Sequence, residues 1–439
     1  MDLKTLCLIF LGLMPLVIDD VFAQESSELP SADIRSQPAA QIRSRLSQLY
    51  DQVYQIQIIE SSTQNKSALG SGFQVSADGL IITNYHVVSV LVFEPSHHRI
   101  LYVDQNDNEG ELELIRFDAV NDLALLKKTE LSDNEHFLDL AQQQPELGDS
   151  VYSLGNPRNV GMLMVSGAYN GLSNYSFAGR ILFSGSLNPG MSGGPSVNAN
   201  GEVIGVNVST AGSQLSFLVP LSKVEQLLSR ASTPWQPENY LSEIATQVRA
   251  FQEDYFNQLL APEWTPKDLG SEALVTGELG LDTNCWGDSN EDDEDAKFRI
   301  LTLTCSNSNH IYLDRGFNTG VLHYSYSYRE AGELGTIRFH ELIDGLTFYP
   351  DNQASNDEVT AYSCEQQYLT PSPEEEGHFI QTGFCTRAYI DMIGLYDVLF
   401  YSHSANSYRS LVSHFTLAGV SMETAMAFTE RFMESATWK

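Results

Sequence analysis

Basic residues are scarce in this chain of 439 residues, which carries 24 lysines and arginines against 57 aspartates and glutamates. The formal net charge is −33 at pH 7, divided as −12 over residues 1–233 and −21 over residues 234–439. Nucleic-acid affinity comes largely from lysine and arginine placed on phosphates, so a surface of this sign repels the phosphate backbone. The composition therefore argues against nucleic acid as a partner.

Long apolar runs are missing after the first 23 residues. The run Leu6–Ile18 is shorter than the about 20 residues that a membrane span needs. Lys4 precedes this run and Val21-Phe22-Ala23 follows it, an arrangement typical of a secretory signal peptide cleaved before Gln24. An uncleaved anchor is the alternative. We expect an exported protein, periplasmic or secreted, with no stable membrane span once residues 1–23 are removed.

Cysteine is sparse, and only four cysteines follow the signal segment: Cys285, Cys305, Cys364 and Cys385. An even number in an exported chain predicts disulfides. Three pairings are possible, and the short loops favour Cys285–Cys305 with Cys364–Cys385. A zinc site of four thiolates is the alternative, which the absence of any Cys-x-x-Cys pair disfavours.

Recognisable metal and cofactor motifs are absent as well, and we predict neither a metal nor a cofactor. The acidic run from Asp288 to Asp295 lacks the glycine at the sixth position and the glutamate at the twelfth of an EF-hand loop. It is therefore interpreted as a solvated loop rather than a calcium site. His97 and His98 are interpreted as loop residues rather than metal ligands.

One stretch does carry chemistry: Asn188-Pro189-Gly190-Met191-Ser192-Gly193-Gly194-Pro195. Glycine permits backbone dihedrals barred to other residues, so this turn can aim two N–H groups into one small space. An oxyanion hole needs such donors, which stabilise the negative charge that develops during acyl transfer. Ser192 is the candidate nucleophile, and the N–H groups of Gly190 and Ser192 are the candidate donors.

A serine hydroxyl is a weak nucleophile until a neighbouring base accepts its proton. His86 ends an apolar strand in Thr83–Val88, and Asp122 stands just before the apolar run Leu123–Leu126. The chain order histidine, aspartate, serine fits a Ser-His-Asp triad. We predict that His86 is the base and that Asp122 orients it.

Residues about 50–230 resemble the trypsin-like serine proteases, and among these the HtrA/Deg type. Six blocks in the same order carry the resemblance, namely Gly70–Phe73, Thr83–Val88, Asn121–Lys127, Gly155–Pro157, Asn188–Pro195 and Gly201–Asn207. The resemblance implies an all-β, chymotrypsin-like double β-barrel with the site in the cleft between the barrels. It also implies a primary substrate pocket at Ser186 and Asn207. Ser186 is not a carboxylate, which predicts small to medium apolar side chains there rather than basic ones.

Two departures from that pattern bear on function. Met191 stands where this type usually has asparagine and the digestive enzymes have aspartate, so activation by an ion pair with a new N-terminus is not expected. HtrA-type proteins usually carry PDZ domains after the protease, whereas residues 234–439 show no recognisable PDZ carboxylate-binding loop.

The predicted organisation has five parts. They are a signal peptide at 1–23, an N-terminal segment at 24–49, the protease domain at 50–233, a linker with an amphipathic helix at 234–265, and a separate acidic domain at 266–439. The last part is expected to be mainly β (α+β), to hold the disulfides and to have an unknown function.

The sequence thus predicts an exported serine endopeptidase that acts on proteins or peptides through an acyl-enzyme on Ser192. The alternative is a catalytically silent, protease-like protein whose acidic C-terminal domain recognises a partner. The oligomeric state is not predicted.

Overall fold

A computed structural model of the chain describes residue 42 and residues 44–439, apart from 133–134, 158–160, 174–175, 211, 213, 234, 236–238, 309, 345–353 and 370–377. The predicted signal peptide and most of the N-terminal segment lie outside the described residues. Residues Arg45–Lys439 form one compact unit. In this part of the chain, no helix is long and apolar enough to cross a membrane.

The first β-barrel follows a short 3-10 helix, Gln48–Gln52. Its strands are β1 (Val53–Glu60), β2 (Lys66–Gln74), β3 (Leu80–Thr83), β4 (His98–Val103), β5 (Glu109–Asp118) and β6 (Leu123–Lys128). They close in the order β1-β2-β3-β6-β5-β4. Helix α1 (Tyr85–Phe93) connects β3 to β4 and buries most of its side chains, because its sequence is apolar almost all round.

The second barrel is also closed and has the order β10-β11-β12-β9-β8-β7. Its strands are β7 (Ser150–Gly155), β8 (Leu163–Leu172), β9 (Ile181–Phe183), β10 (Pro195–Val197), β11 (Val203–Thr210) and β12 (Ser216–Pro220). All pairings in both barrels are antiparallel. The predicted double β-barrel is confirmed, and each barrel has six strands.

Two helices lead away from the second barrel, α2 (Leu221–Ala231) and α3 (Tyr240–Leu260). The side chain of Asn239 caps α3 by accepting a hydrogen bond from the Ser242 N–H at 2.6 Å. Apolar residues of α3 at three- and four-residue spacing, such as Ile244, Val248 and Tyr255, are buried.

The chain after α3 is mostly β. It contains β13 (Pro266–Leu269), β14 (Ala273–Thr276), β15 (Thr283–Ser289), β16 (Arg299–Asn307), β17 (Ile311–Asp314), β18 (Phe317–Thr319), β19 (Leu322–Glu330), α4 (Thr336–Asp344), β20 (Ser363–Leu369), β21 (Phe379–Ala388), β22 (Tyr396–Ala405), β23 (Arg409–Val420), α5 (Met422–Met433) and β24 (Thr437–Trp438). Seven strands form one antiparallel sheet in the order β15-β16-β19-β23-β22-β21-β20. The strands β17 and β18 form a separate hairpin.

Both disulfides lie in this sheet, and the favoured pairing is confirmed: Cys285 is bonded to Cys305 and Cys364 to Cys385. In each pair the two cysteines stand directly opposite each other on neighbouring strands, with Cα atoms 4.1 and 4.0 Å apart. The strands β15 and β20 are the two edges of the sheet. Each disulfide therefore fixes an edge strand to its inner neighbour, where an open edge could otherwise pair with another chain.

One hydrophobic cluster joins the first barrel to the later chain. It contains Ile56 of β1 and Val88 of α1 together with Val248 of α3, Leu313 of β17 and Phe317 of β18. The predicted domain boundaries at 233 and 265 fall between elements that share this core.

Candidate active site

The first barrel holds His86 and Asp122 together. His86 lies in the first turn of α1, and Asp122 lies in the tight connection between β5 and β6. The distance from His86 Nδ1 to Asp122 Oδ2 is 2.8 Å, and the backbone N–H of His86 donates to Asp122 Oδ1 at 2.9 Å. Both carboxylate oxygens of Asp122 therefore accept from the same histidine, which fixes the orientation of the imidazole.

Asp122 has a backbone φ of 57°, in the left-handed region that residues with a Cβ seldom adopt. Aspartate is among the few side chains that tolerate this conformation. The Asn84 side chain donates to the carbonyl of Asp122 at 2.7 Å and helps to hold it. Strained backbone of this kind clusters at functional sites, where the surrounding structure maintains it.

Burial of the His86 imidazole opposes its protonation, but the negative charge of Asp122 and the hydrogen bond to it outweigh burial. The pKa of His86 is therefore raised above its usual value. Arg180, just before β9, acts in the opposite direction, because its positive charge lowers the pKa of His86. Its guanidinium donates to the carbonyl of Asn121 at 2.9 Å. Sequence reasoning missed Arg180, since no motif surrounds it.

The turn before Ser192 has a defined backbone geometry. The N–H of Met191 donates to the carbonyl of Asn188 at 3.0 Å, with Pro189 and Gly190 between them. Gly190 has a φ of 95°. A turn with proline at its second position and a positive φ at its third is type II, which favours glycine at that third position.

Ser71 of β2 binds the carbonyl groups on either side of Met191. Its Oγ donates to the Gly190 carbonyl at 2.7 Å, and its N–H donates to the Ser192 carbonyl at 2.7 Å. The N–H groups of Gly190 and Ser192 have no acceptor among the described residues. An oxyanion hole requires N–H donors beside the nucleophile, and the assignment of these two groups to one stays a prediction. Ser71 lies within the sequence block Gly70–Phe73, but no signal in that block indicates this contact.

The hydroxyl of Ser192 is engaged away from His86. The Ser192 hydroxyl donates to the carbonyl of Val208 at 2.9 Å, and no hydrogen bond links it to His86. Catalytic hydrogen bonds are often poorly aligned in unliganded structures and tighten when substrate is present. The structure therefore brings His86 and Asp122 together, and places Ser192 in a different hydrogen bond.

The two residues predicted for the substrate pocket differ from each other. Ser186 is exposed, and its Oγ accepts from the N–H of Gln214 at 3.2 Å. Asn207 is fully buried and donates to the carbonyls of Leu154 at 2.9 Å and of Met191 at 3.2 Å. Its side-chain oxygen accepts from Ser196 at 2.8 Å. The geometry therefore gives Asn207 a role in holding the Met191 carbonyl of the serine turn. Its place in the substrate pocket stays a prediction.

Gly193 fits where no larger residue could. It has a φ of 84°, and a Cβ on it would lie 2.2 Å from the carbonyl oxygen of Ser71 and 2.4 Å from Thr83 Oγ1. Met191 is fully buried, and its side chain packs at the position where a Cβ on Gly155 would lie. The Met191 side chain is thus part of the packing beneath the turn, and its carbonyl accepts from Asn207.

The later chain supplies one side of the cleft. Tyr312 of β17 meets the His86 ring edge-on, with ring centroids 6.0 Å apart and an interplanar angle of 77°. A cavity of about 730 Å³ opens beside His86 and is lined by both barrels, by α3 and by β17. No sequence signal marked Tyr312, which lies 226 residues after His86 in a segment of unrecognised function.

Residues 70–206 match the family model of the trypsin-like peptidase domain. Among similar proteins, the serine protease HTRA1 of Xenopus tropicalis is 31% identical over 174 residues, which cover 38% of this chain and 36% of the relative. A probable periplasmic serine endoprotease DegP-like from Pseudomonas fulva is 35% identical over 164 residues, which cover 35% of this chain and 33% of the relative. The serine endoprotease DegS of Haemophilus influenzae is 30% identical over 176 residues, which cover 37% of this chain and 49% of the relative.

The chain thus spans between a third and a half of the length of these relatives. Among solved structures, a serine endoprotease from Yersinia pestis covers 46% of this chain and 68% of its own at 24% identity, with a TM-score of 0.38. The family match and the relatives confirm the predicted resemblance of the two-barrel segment to HtrA-type trypsin-like serine proteases.

Proposed function

We propose that this chain is an exported serine endopeptidase that cleaves proteins or peptides through an acyl-enzyme on Ser192. The observation that supports it best is the doubly hydrogen-bonded pair of His86 and Asp122 in a peptidase domain that also presents the unpaired N–H groups of Gly190 and Ser192. Export is proposed from the apolar segment before Gln24, and the name of the Pseudomonas fulva relative, a probable periplasmic endoprotease, supports it.

The reaction proceeds in two halves. The Ser192 side chain first leaves the Val208 carbonyl and turns to the free ring nitrogen of His86, Nε2. As Ser192 Oγ attacks the carbonyl carbon of the scissile bond, its proton moves to His86, and the N–H groups of Gly190 and Ser192 bind the resulting oxyanion. Collapse of this intermediate breaks the C–N bond, and the leaving amine takes the proton from His86.

Water then repeats the sequence on the ester. The water oxygen attacks the acyl carbon while His86 accepts a proton from the water. His86 then returns that proton to Ser192 Oγ as the new carboxylic acid leaves. Asp122 keeps the proton-bearing Nδ1 of His86 facing away from the serine and stabilises the cation that forms. This is why both carboxylate oxygens of Asp122 matter.

A second candidate is a catalytically silent protein that uses the same cleft only for binding. The hydrogen bond from Ser192 Oγ to the Val208 carbonyl favours it, because a serine held there has no base. The two candidates differ in whether Ser192 ever reaches His86.

Labelling of the folded full-length chain with a fluorophosphonate separates them, together with cleavage of casein. We expect the wild-type protein and a Ser229→Ala control, which changes an exposed serine on α2, to label and to cleave. Ser192→Ala should lower kcat/KM by about 10⁴-fold or more, since loss of the nucleophile leaves only binding and the oxyanion donors. A folded wild-type protein that neither labels nor cleaves would favour the silent candidate.

A further inference from the structure

The cavity beside His86 has a composite wall. The second barrel contributes Leu182 and Phe217, the segment before Asp122 contributes Val120, and the later chain contributes Phe251 of α3 and Tyr312 of β17. These side chains are partly exposed, and they are apolar or aromatic. The polar part of the lining consists of His86, Asp122, Arg180, His310 and four serines. Ligand pockets typically occupy about 300–1,000 Å³ and combine apolar walls with a limited set of polar groups.

We propose that this cavity binds a large apolar side chain of the substrate close to the scissile bond, and that Tyr312 sets its size. The proposal rests on the proposed function, because the cavity has this role only if Ser192 and His86 cleave peptides. It gives the chain after residue 233 a part in substrate selection. A carbonyl under attack by Ser192 must lie beside His86, so the occupant of a cavity that opens against this ring belongs to a residue near that carbonyl.

The hairpin that carries Tyr312 is bound to the helix that carries His86. The hydroxyl of Tyr85 donates to the Leu313 carbonyl at 2.8 Å, and Ser89 Oγ donates to Asp314 Oδ1 at 2.9 Å. These two contacts come from residues on either side of His86 in α1. Leu313 is also fully buried. Tyr312 is therefore a fixed wall of the cavity and keeps its position relative to His86.

The opposite walls are fixed as well. The Phe251 ring packs edge-on against Phe177, with centroids 5.2 Å apart. The side chain of Gln247, one turn earlier in α3, accepts from the N–H of Ala119 at 2.8 Å and donates to the Phe117 carbonyl at 3.1 Å. These bonds hold the backbone that leads into Val120. Rigid walls favour selection by size, since a side chain of the wrong volume leaves a void or overlaps.

Charge agrees with an apolar occupant. The acidic and basic side chains on the lining are Asp122, Arg180, His86 and His310. Arg180 is already engaged with the Asn121 carbonyl, and Asp122 and His86 are engaged with each other. A charged substrate side chain would find no unengaged ionic partner among these groups. It would lose hydration without compensation, which costs far more than burial of an apolar group returns.

The test is a positional-scanning peptide library with the full-length protein and its variants. We expect the wild-type protein to prefer large apolar residues at one position near the cleaved bond. Tyr312→Ala should lower kcat/KM for that preferred residue by about tenfold or more, in the range that hydrophobic pockets discriminate. Tyr312→Phe should keep the preference, because it keeps the ring. Val120→Phe narrows the cavity from the other side and should shift the preference to small residues.

Tyr408→Ala is the matched control, because it removes an exposed tyrosine ring from the same part of the chain. Fluorophosphonate labelling of each variant reports whether Ser192 and its surroundings remain assembled. If Tyr312→Ala labels like the wild type and both cavity variants keep its preference at every position, the inference is wrong while the proposed function stands. If the folded wild-type protein does not label or cleave, the proposed function fails, and this inference with it.

Discussion

His414 offers a stability test that does not depend on catalysis. It lies on β23, opposite Ser325 of β19 and Tyr401 of β22, and its ring centroid is 6.0 Å from that of His323. Burial, together with the charge that His323 can carry, lowers the pKa of His414 to about 4. An unfolded histidine has a pKa of about 6.5, so the unfolded chain takes up this proton first as the pH falls.

The sign and size of the effect follow from linkage. Stability falls with falling pH wherever the unfolded state binds more protons, which for His414 is the interval between pH about 6.5 and about 4. A shift of one pKa unit corresponds to about 1.4 kcal/mol, so this residue should cost the folded state about 2 kcal/mol at pH 5 and about 3 kcal/mol at pH 4, relative to pH 7.

The assay is urea unfolding of the wild-type protein and of His414→Leu at pH 7, 6, 5 and 4, followed by fluorescence. The relevant quantity is the difference in unfolding free energy between the two proteins, because carboxylate titrations common to both cancel. Between pH 7 and pH 5, the unfolding free energy of His414→Leu should rise by about 2 kcal/mol relative to that of the wild type. His97→Leu, which removes an exposed imidazole, is the control. A difference for His414→Leu that stays constant with pH would refute the reasoning.

Three further predictions concern the site. Asp122→Asn should lower kcat by about 10⁴-fold in peptide hydrolysis with little change in melting temperature, because the amide favours the wrong tautomer of His86. The raised pKa of His86 places the acid limb of the pH profile of kcat/KM above pH 6.5, and Arg180→Gln should move it higher still, since Arg180 lowers that pKa. Gly193→Ala should abolish fluorophosphonate labelling, because its Cβ would overlap the Ser71 carbonyl oxygen.

The sequence predicted those features whose causes are local. Apolar alternation over a few residues predicts individual strands. The arrangement of those strands in two barrels was implied by the resemblance of the six sequence blocks, and not by the alternation itself. The disulfide pairing could be predicted for a similar reason. Cys285 and Cys305 are separated by 20 residues and lie on consecutive strands that pair directly. The blocks around His86 and Ser192 were recognised because their residue order is itself the signal.

The remaining features depend on contacts between distant parts of the chain. Ser71 reaches the serine turn from 119 residues away along the chain, and the periodicity of its own strand carries no information about that contact. Asn207 sits in the expected block, yet its burial follows from how β11 packs under the turn, which a motif cannot specify. Asp122 has a positive φ, and its carbonyl accepts a hydrogen bond from the side chain of Asn84, 38 residues earlier, which its sequence neighbours do not indicate.

The later chain is part of the structure that positions His86. Val88 and Val92 of α1 pack in one cluster with Val248 of α3 and Phe317 of β18. Burial of a valine or phenylalanine side chain stabilises by about 1.5–3 kcal/mol, so a fragment ending near residue 235 would lose several such contributions from the helix that carries His86. Weak activity in such a fragment would therefore be explained first by displacement of His86, and only second by the loss of substrate contacts. Tyr312→Ala separates the two effects, because the hairpin keeps its hydrogen bonds to α1 while its wall of the cavity is removed.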